Sequence, residues 1–248
     1  MTDALVEELN RYADAARRLE GWKLDFEPEP LGSGPPWDYE ARARELCTGA
    51  RSVLDLGTGG GEVFSRVLPD FGCHAIATEW WHRNAPVAAR RLAGRAHVVR
   101  ASSLELPFRD ARFDLVLSRH EELSPTQVAR VLTPGGRCLT QQVVSDYWPE
   151  LREVFPDMAR FPDHYAEYQR GFLEAGLHVE AAREFRRPVR FRELGHLVYH
   201  LVAGPWILPG FGVESHREAL ARLESRVQSD EGLVLTEGFY LLQVQAPA

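Results

Sequence analysis

Residues 52 to 62, Ser52-Val-Leu-Asp-Leu-Gly-Thr-Gly-Gly-Gly-Glu62, constrain the fold of this 248-residue chain more than any other stretch. An apolar run of strand type, Val53 to Leu56, breaks into four glycines in five positions, and Val63, Phe64, Val67 and Leu68 follow at helical spacing. The pattern predicts a strand, a glycine turn and a helix in direct succession. Without a Cβ in the way, such a turn lets backbone approach a ligand closely and aims free N–H groups at it. A nucleoside-bearing cofactor suits that arrangement.

Spacing narrows the choice. A dinucleotide fingerprint read from Gly57 requires glycine at position 62, where Glu62 stands, and the Gly-Lys-Ser/Thr ending of a phosphate loop is missing. What remains is Asp55-x-Gly57-x-Gly59-x-Gly61, with an acid at the turn that suits a cationic ligand better than a pyrophosphate. This stretch resembles motif I of the class I S-adenosylmethionine-dependent methyltransferases, in the type 11-like group. The resemblance implies that Gly57, Thr58, Gly59 and Gly61 pack under the methionine end of the cofactor while Asp55 orders the loop and the amino group.

Further matches follow in order. Cys73 to Thr78 reads as a strand that ends in Glu79, close to the spacing of roughly 20 residues at which a nucleotide fold presents an acid to ribose hydroxyls. The family gives this acid that role and lays the next apolar side chain, here Trp80, against the adenine. After a short strand, 96 to 100, the family's adenine-binding acid and small residue correspond to Ser102 and Ser103, ahead of Leu104. A neutral hydroxyl holds the adenine amino group less firmly than a carboxylate. Phe113-Asp114 resembles the start of the fourth motif, and Arg130-Val-Leu-Thr-Pro-Gly-Gly-Arg137 matches the turn into the family's fifth strand.

Ligands of a doubly wound sheet gather at the carboxyl ends of its strands, so Arg119, His120, Glu121 and Glu122, after the strand 112 to 118, face the cleft. His120 is either a general base or a histidine satisfied by neighbouring carboxylates. His164 and Tyr147 are the other base candidates. Two adjacent acids without further spaced ligands do not make a metal site.

Ahead of motif I, Leu5, Leu9, Tyr12, Ala16 and Leu19 predict an amphipathic helix over 3–22. Pro28 to Pro36 is too broken for regular structure, and a helix over 38–48 follows. Trp37 and Tyr39 either close over the cofactor or pin the N-terminal arm to the domain. Pro69 and Gly72 are expected to end the motif I helix, and a helix over 84–92 carries Pro86 in its first turn. Beyond the fifth strand, 145 to 162 is a loop-rich apolar insertion, followed by a helix, 165 to 175, and a strand, 178 to 185. His196 and His200 share one helix without the Glu of a zinc helix and read as ordinary polar-face histidines. A charged helix, 214 to 229, precedes a last strand, 233 to 244, in which Gly238 suggests a bend or bulge.

The expected architecture is therefore α/β: a Rossmann-like, doubly wound, seven-stranded sheet with the last strand antiparallel and helices on both faces. Residues 1–50 form a helical arm and lid, and 51–248 a cofactor-binding domain with substrate-side insertions at about 145–165 and 188–230. A net charge of −7 disfavours a phosphate backbone as partner; the run Arg183, Arg186, Arg187, Arg190 and Arg192 is either a basic patch or a solvated edge. Scattered Cys47, Cys73 and Cys138 suggest reduced thiols, and no signal or membrane segment is evident, so a cytoplasmic protein is expected.

The resemblance implies methyl transfer from S-adenosyl-L-methionine, leaving S-adenosyl-L-homocysteine, to an O, N or C nucleophile of a small molecule. The alternatives are an RNA or protein methyltransferase, for which the base-amine loop Asn-Pro-Pro-Tyr is missing, a non-catalytic nucleotide-binding regulator on the same scaffold, and a dehydrogenase.

Overall fold

The computed structural model describes residues 1–70 and 73–248. Gly72, expected to help end the motif I helix, lies outside them. One eight-stranded sheet organises the chain. Its strands are β1 (Glu29–Pro30), β2 (Ser52–Leu56), β3 (His74–Thr78), β4 (His97–Val99), β5 (Phe113–Arg119), β6 (Leu132–Val143), β7 (His178–Phe191) and β8 (Leu233–Gln245), in the order β1-β7-β8-β6-β5-β2-β3-β4. Strands β2 to β7 run parallel and β8 is antiparallel between β6 and β7, as expected. The eighth strand is a correction: the Pro/Gly-rich segment gives two residues to the sheet edge, pairing Glu29 with Arg190 and Pro30 with Val189. Proline is tolerated there because an edge strand leaves one side of its backbone unpaired.

The eight helices are α1 (Asp3–Arg17), α2 (Tyr39–Gly49), α3 (Glu62–Val67), α4 (Asn84–Arg91), α5 (Pro125–Val131), α6 (His164–Glu174), α7 (Leu194–Ala203) and α8 (Arg217–Val227). Period-two alternation along the strands builds two cores. Val53, Leu115, Leu117 and Leu139 meet α2, α3 and α4 through Ala43, Phe64 and Leu92, while Leu54, Val116, Cys138 and Leu242 meet α5 and α6 through Val128, Val131 and Phe172. A third core lies beyond the sheet edge, where α1, α7, α8 and a 3-10 turn (Pro149–Glu153) bury Leu9, Leu151, Leu197, Val198, Leu220 and Leu223 on the extended ends of β7 and β8. The strand β7 therefore runs past the expected 185 to Phe191, because its distal half has apolar helices to cover it.

Gly238 makes no bulge. It pairs with Arg186 in unbroken register, and the register shift falls at Val179/Ala181. Glycine is required there for clearance: a Cβ would stand 2.6 Å from Val144 Cγ2 and 3.1 Å from the Phe185 carbonyl. Cys73 lies just before β3 rather than in it.

Candidate active site

The turn after β2 takes the shape its glycines permit. Gly57, Gly59 and Gly61 all have positive φ, at 58°, 62° and 79°. Thr58 N–H donates to the Thr78 carbonyl (2.9 Å), and Gly59 N–H to the Glu79 carboxylate (2.7 Å), so the turn is tied to the end of β3. Trp81 N–H donates to the other Glu79 oxygen at 2.7 Å. Two backbone amides thus hold a buried acid at the place expected for a ribose-binding group. Trp80 beside it is largely exposed, with the Arg100 guanidinium 5.8 Å from its ring centroid.

Of the two serines, Ser102 turns its hydroxyl back to accept from Leu104 N–H at 3.1 Å. The buried Ser103 donates to Glu121 at 2.9 Å. Glu121 lies across Gly57, where a Cβ would meet its Cγ at 2.3 Å. The sequence placed Glu121 among four residues facing the cleft, with no role of its own; the structure makes it the third carboxylate of the turn. Burial pushes Asp55 up to about 7, with Glu79 and Glu121 adding to the rise, and burial carries Glu121 to about 7 as well. The Thr58 hydroxyl eases the charge on Asp55 but makes no well-formed hydrogen bond. None of the three acids forms an ion pair with any described residue.

Trp22, which sequence reasoning missed, lies on the same turn. A Cβ on Gly59 would stand 2.5 Å from its indole, and Trp22 meets Trp81 and Trp206 at 5.9 and 5.4 Å between ring centroids. Gly21 N–H donates to Asn84 at 3.1 Å, fixing this crossing. Trp37 and Tyr39 sit deeper. Tyr39 is buried and donates its hydroxyl to the Ser118 carbonyl (3.2 Å), and Trp37 Nε1 donates to Gln141 (2.8 Å), so both anchor the arm to strand ends.

Next to the three acids the cleft changes character. Arg119 and His120, at the end of β5, are solvent-accessible yet surrounded by protein, the mark of residues on a cleft wall; burial lowers the pKa of Arg119 and carries that of His120 to about 3. His120 stacks on Phe239 (5.5 Å, 12°), and Tyr147 leans on Phe239 from the other side (6.4 Å). Tyr147 hydroxyl reaches Glu237 at 3.5 Å, and Glu237 pairs with Arg187 at 2.6 Å, both largely buried. Trp148 holds Tyr147 in place through a strained backbone, φ +52°, locked by its N–H to the Thr236 carbonyl (2.8 Å).

The base candidates fare poorly as bases. Burial and the nearby Glu237 and Glu27 carboxylates raise the Tyr147 phenol, which donates rather than accepts. His164 sits at the start of α6, paired with Glu167 (3.2 Å) and stacked on Tyr168 (5.1 Å). His200 is a further correction: it is buried, with Nε2 2.5 Å from the Phe26 carbonyl, not on a polar face. The arginine run is largely spent on acids, Arg186 on Asp146 (2.8 Å), Arg187 on Glu237, and Arg190 and Arg192 on Glu29 (3.3 and 3.7 Å). Asp114 lies near the amino end of β5, at the opposite end of that strand from Arg119 and His120, accepting from Arg51 and Ser52 N–H (2.9 and 3.1 Å), and is structural.

A family model described as a methyltransferase domain matches residues 53–139, the span from β2 into β6 that carries all three acids. Over that span the chain is similar to a methyltransferase domain. Among curated relatives, the ubiquinone/menaquinone biosynthesis C-methyltransferase of Vibrio campbellii is 32% identical over 127 residues, 44% of this chain and 49% of that one. The chain thus spans about half the length of the curated relative it matches. Solved structures extend the likeness to almost the whole fold. The 4+2 cyclase SpnF aligns with a TM-score of 0.58 at 17% identity over 99% of this chain and 94% of its own. Geranyl diphosphate C-methyltransferase from Streptomyces coelicolor, solved with S-adenosyl-L-homocysteine, aligns at 0.53 and 13% identity over 96% and 97%.

Proposed function

We propose that this protein transfers a methyl group from S-adenosyl-L-methionine to a small-molecule acceptor. One observation carries the reading: Asp55, Glu79 and Glu121 gather at the glycine turn with no protein cation to offset them. Such a site favours a nucleoside bearing positive charge and disfavours the pyrophosphate of a dinucleotide. Glu79 would hold the ribose, Gly57 to Gly61 and Asp55 the methionine end, and Trp80, Ser103 and Leu104 the adenine. Arg119 would take the cofactor carboxylate. Ser102, whose hydroxyl is used in its own turn, would contribute only through the shape of that turn.

The bound cofactor would supply an electrophilic methyl on a sulfonium leaving group. The residues of this chain then have to bind, align and exclude water. Trp22 and the arm, within residues 1–50, would cover the turn. Residues 145–165 and 188–230 of the 51–248 domain would close the acceptor side, and Trp37 and Tyr39 would brace it.

Isothermal titration tests the cofactor. Binding of S-adenosylmethionine and S-adenosylhomocysteine, with no heat from NADH, is expected; the reverse pattern sinks the reading. A second reading rests on the cyclase likeness, because that fold also serves chemistry other than methylation. Cofactor binding without methyl release across a broad acceptor panel would favour it.

A further inference from the structure

We infer that Trp37 and Gln141 are positioning residues that lock His120 as an Nδ1–H donor, and that this N–H binds an oxygen of the methyl acceptor instead of removing its proton. The inference rests on the proposed acceptor side of the cleft. The hydrogen bonds fix the proton by elimination. Trp37 Nε1 can only donate, so the Gln141 atom 2.8 Å from it is the amide oxygen. The amide nitrogen of Gln141 then faces His120 Nε2 at 3.3 Å, and it too can only donate. Nε2 must therefore be the unprotonated nitrogen, which leaves the proton on Nδ1.

Other contacts keep the ring where it is. His120 N–H donates to the Gln141 carbonyl at 2.8 Å, so one residue holds both the backbone and the imidazole of His120. Its left-handed backbone, φ +57°, and the near-parallel stack on Phe239 set the ring plane. No described residue receives a hydrogen bond from Nδ1, and the ring is open to the cleft. The charged groups around it are Arg119 on the same loop and, across Phe239 and Tyr147, Glu237 paired with Arg187, with Glu27 on the arm. With Arg119 given to the cofactor carboxylate, the Nδ1–H is left to select the acceptor, and an N–H donor selects an electron-rich oxygen. The acceptor class is accordingly an acidic hydroxyl or a carboxyl compound, whose ionised oxygen needs no base.

Long-range proton–nitrogen NMR on the full-length, nitrogen-labelled protein reads the tautomer directly, with the His120 signals assigned by their loss in His120→Asn. The wild type should show the Nδ1-protonated pattern. Gln141→Glu, which can only accept, should move the proton to Nε2, and Trp37→Phe should free the amide to rotate and give a mixture. Wild type protonated on Nε2, or a Gln141→Glu ring that does not change, overturns the lock. With S-adenosylhomocysteine present, benzoate should shift the Nδ1–H signal and benzylamine should not. A signal that moves with benzylamine, or with neither, overturns the assignment to an acceptor oxygen. Failure of S-adenosylmethionine to bind the wild type would instead remove the functional reading and leave the tautomer result standing.

Discussion

The two halves of the cleft are built on opposite electrostatic plans. Around the glycine turn, Asp55, Glu79 and Glu121 have no counter-ion among the described residues, and Glu79 is held by two backbone amides and Glu121 by one serine. Across the cleft, Glu237 has Arg187, Tyr147 has Glu237, and His120 has Gln141 and Trp37. A half that is uncompensated when empty awaits a charge from its ligand, whereas a half whose groups mostly pair with one another fixes the direction of the few donors it leaves free. The first half reads as affinity and the second as orientation.

Substitutions can break this division. The largest effect is expected for Gly59→Val, which combines a positive φ with a Cβ 2.5 Å from Trp22; cofactor heat in calorimetry should vanish. Glu237→Leu leaves the partly buried Arg187 unpaired and should cost about 2 kcal/mol in denaturant unfolding, below the penalty for a broken fully buried pair because solvent screens part of the guanidinium. Cofactor affinity in that variant should stay within about twofold, and a larger loss would mean that the halves are coupled.

Glu79→Ala removes two charge-assisted hydrogen bonds and should weaken cofactor binding by about 1.5 to 3 kcal/mol in the same titration. An unchanged dissociation constant would take Glu79 out of the site.

A smaller effect concerns pH. Asp55 and Glu121 ionise near 7 in the folded protein but in the ordinary carboxylate range when unfolded. Their contribution to stability is therefore present on the acid side and is lost as pH rises toward 7. A cation binds the ionised forms, so cofactor affinity should rise by about tenfold between acid and neutral pH, with proton release visible as a buffer-dependent heat. A flat profile would remove the anionic-site argument. The smallest effect is expected for His164→Ala, which should change cofactor affinity by less than about twofold because its partners are Glu167 and Tyr168.

Much of the first half was legible in the chain. Asp55, the glycines and Glu79 belong to strand-end patterns whose meaning is local; the Pro134-Gly135-Gly136 segment, read as a turn ahead of a strand, instead interrupts the pairing within β6. Glu121 was visible only as an acid after a strand, because its contact with Gly57 depends on how β5 lies beside β2. Trp22 was expected at the end of a helix over 3–22, but α1 stops at Arg17 and nothing in residues 18 to 24 says that Trp22 reaches the turn. The protonation of the expected general bases was illegible for a related reason. His120, Tyr147 and His164 were chosen by residue type and position, while their protonation is set by partners such as Gln141 and Glu237 that lie on other strands.

The sequence by itself determined the order of strands and helices, the shape of the glycine turn and the two acids nearest it, because φ preferences, period-two burial and strand-end acids act over a few residues. Tertiary structure decided the rest: an eighth strand at the edge, the long β7 under its helical cap, the crossing of Trp22, and the chain from Trp37 through Gln141 to His120. Those features depend on contacts between segments distant in sequence, where hydrogen-bond direction and dielectric are fixed only once the sheet has brought them together.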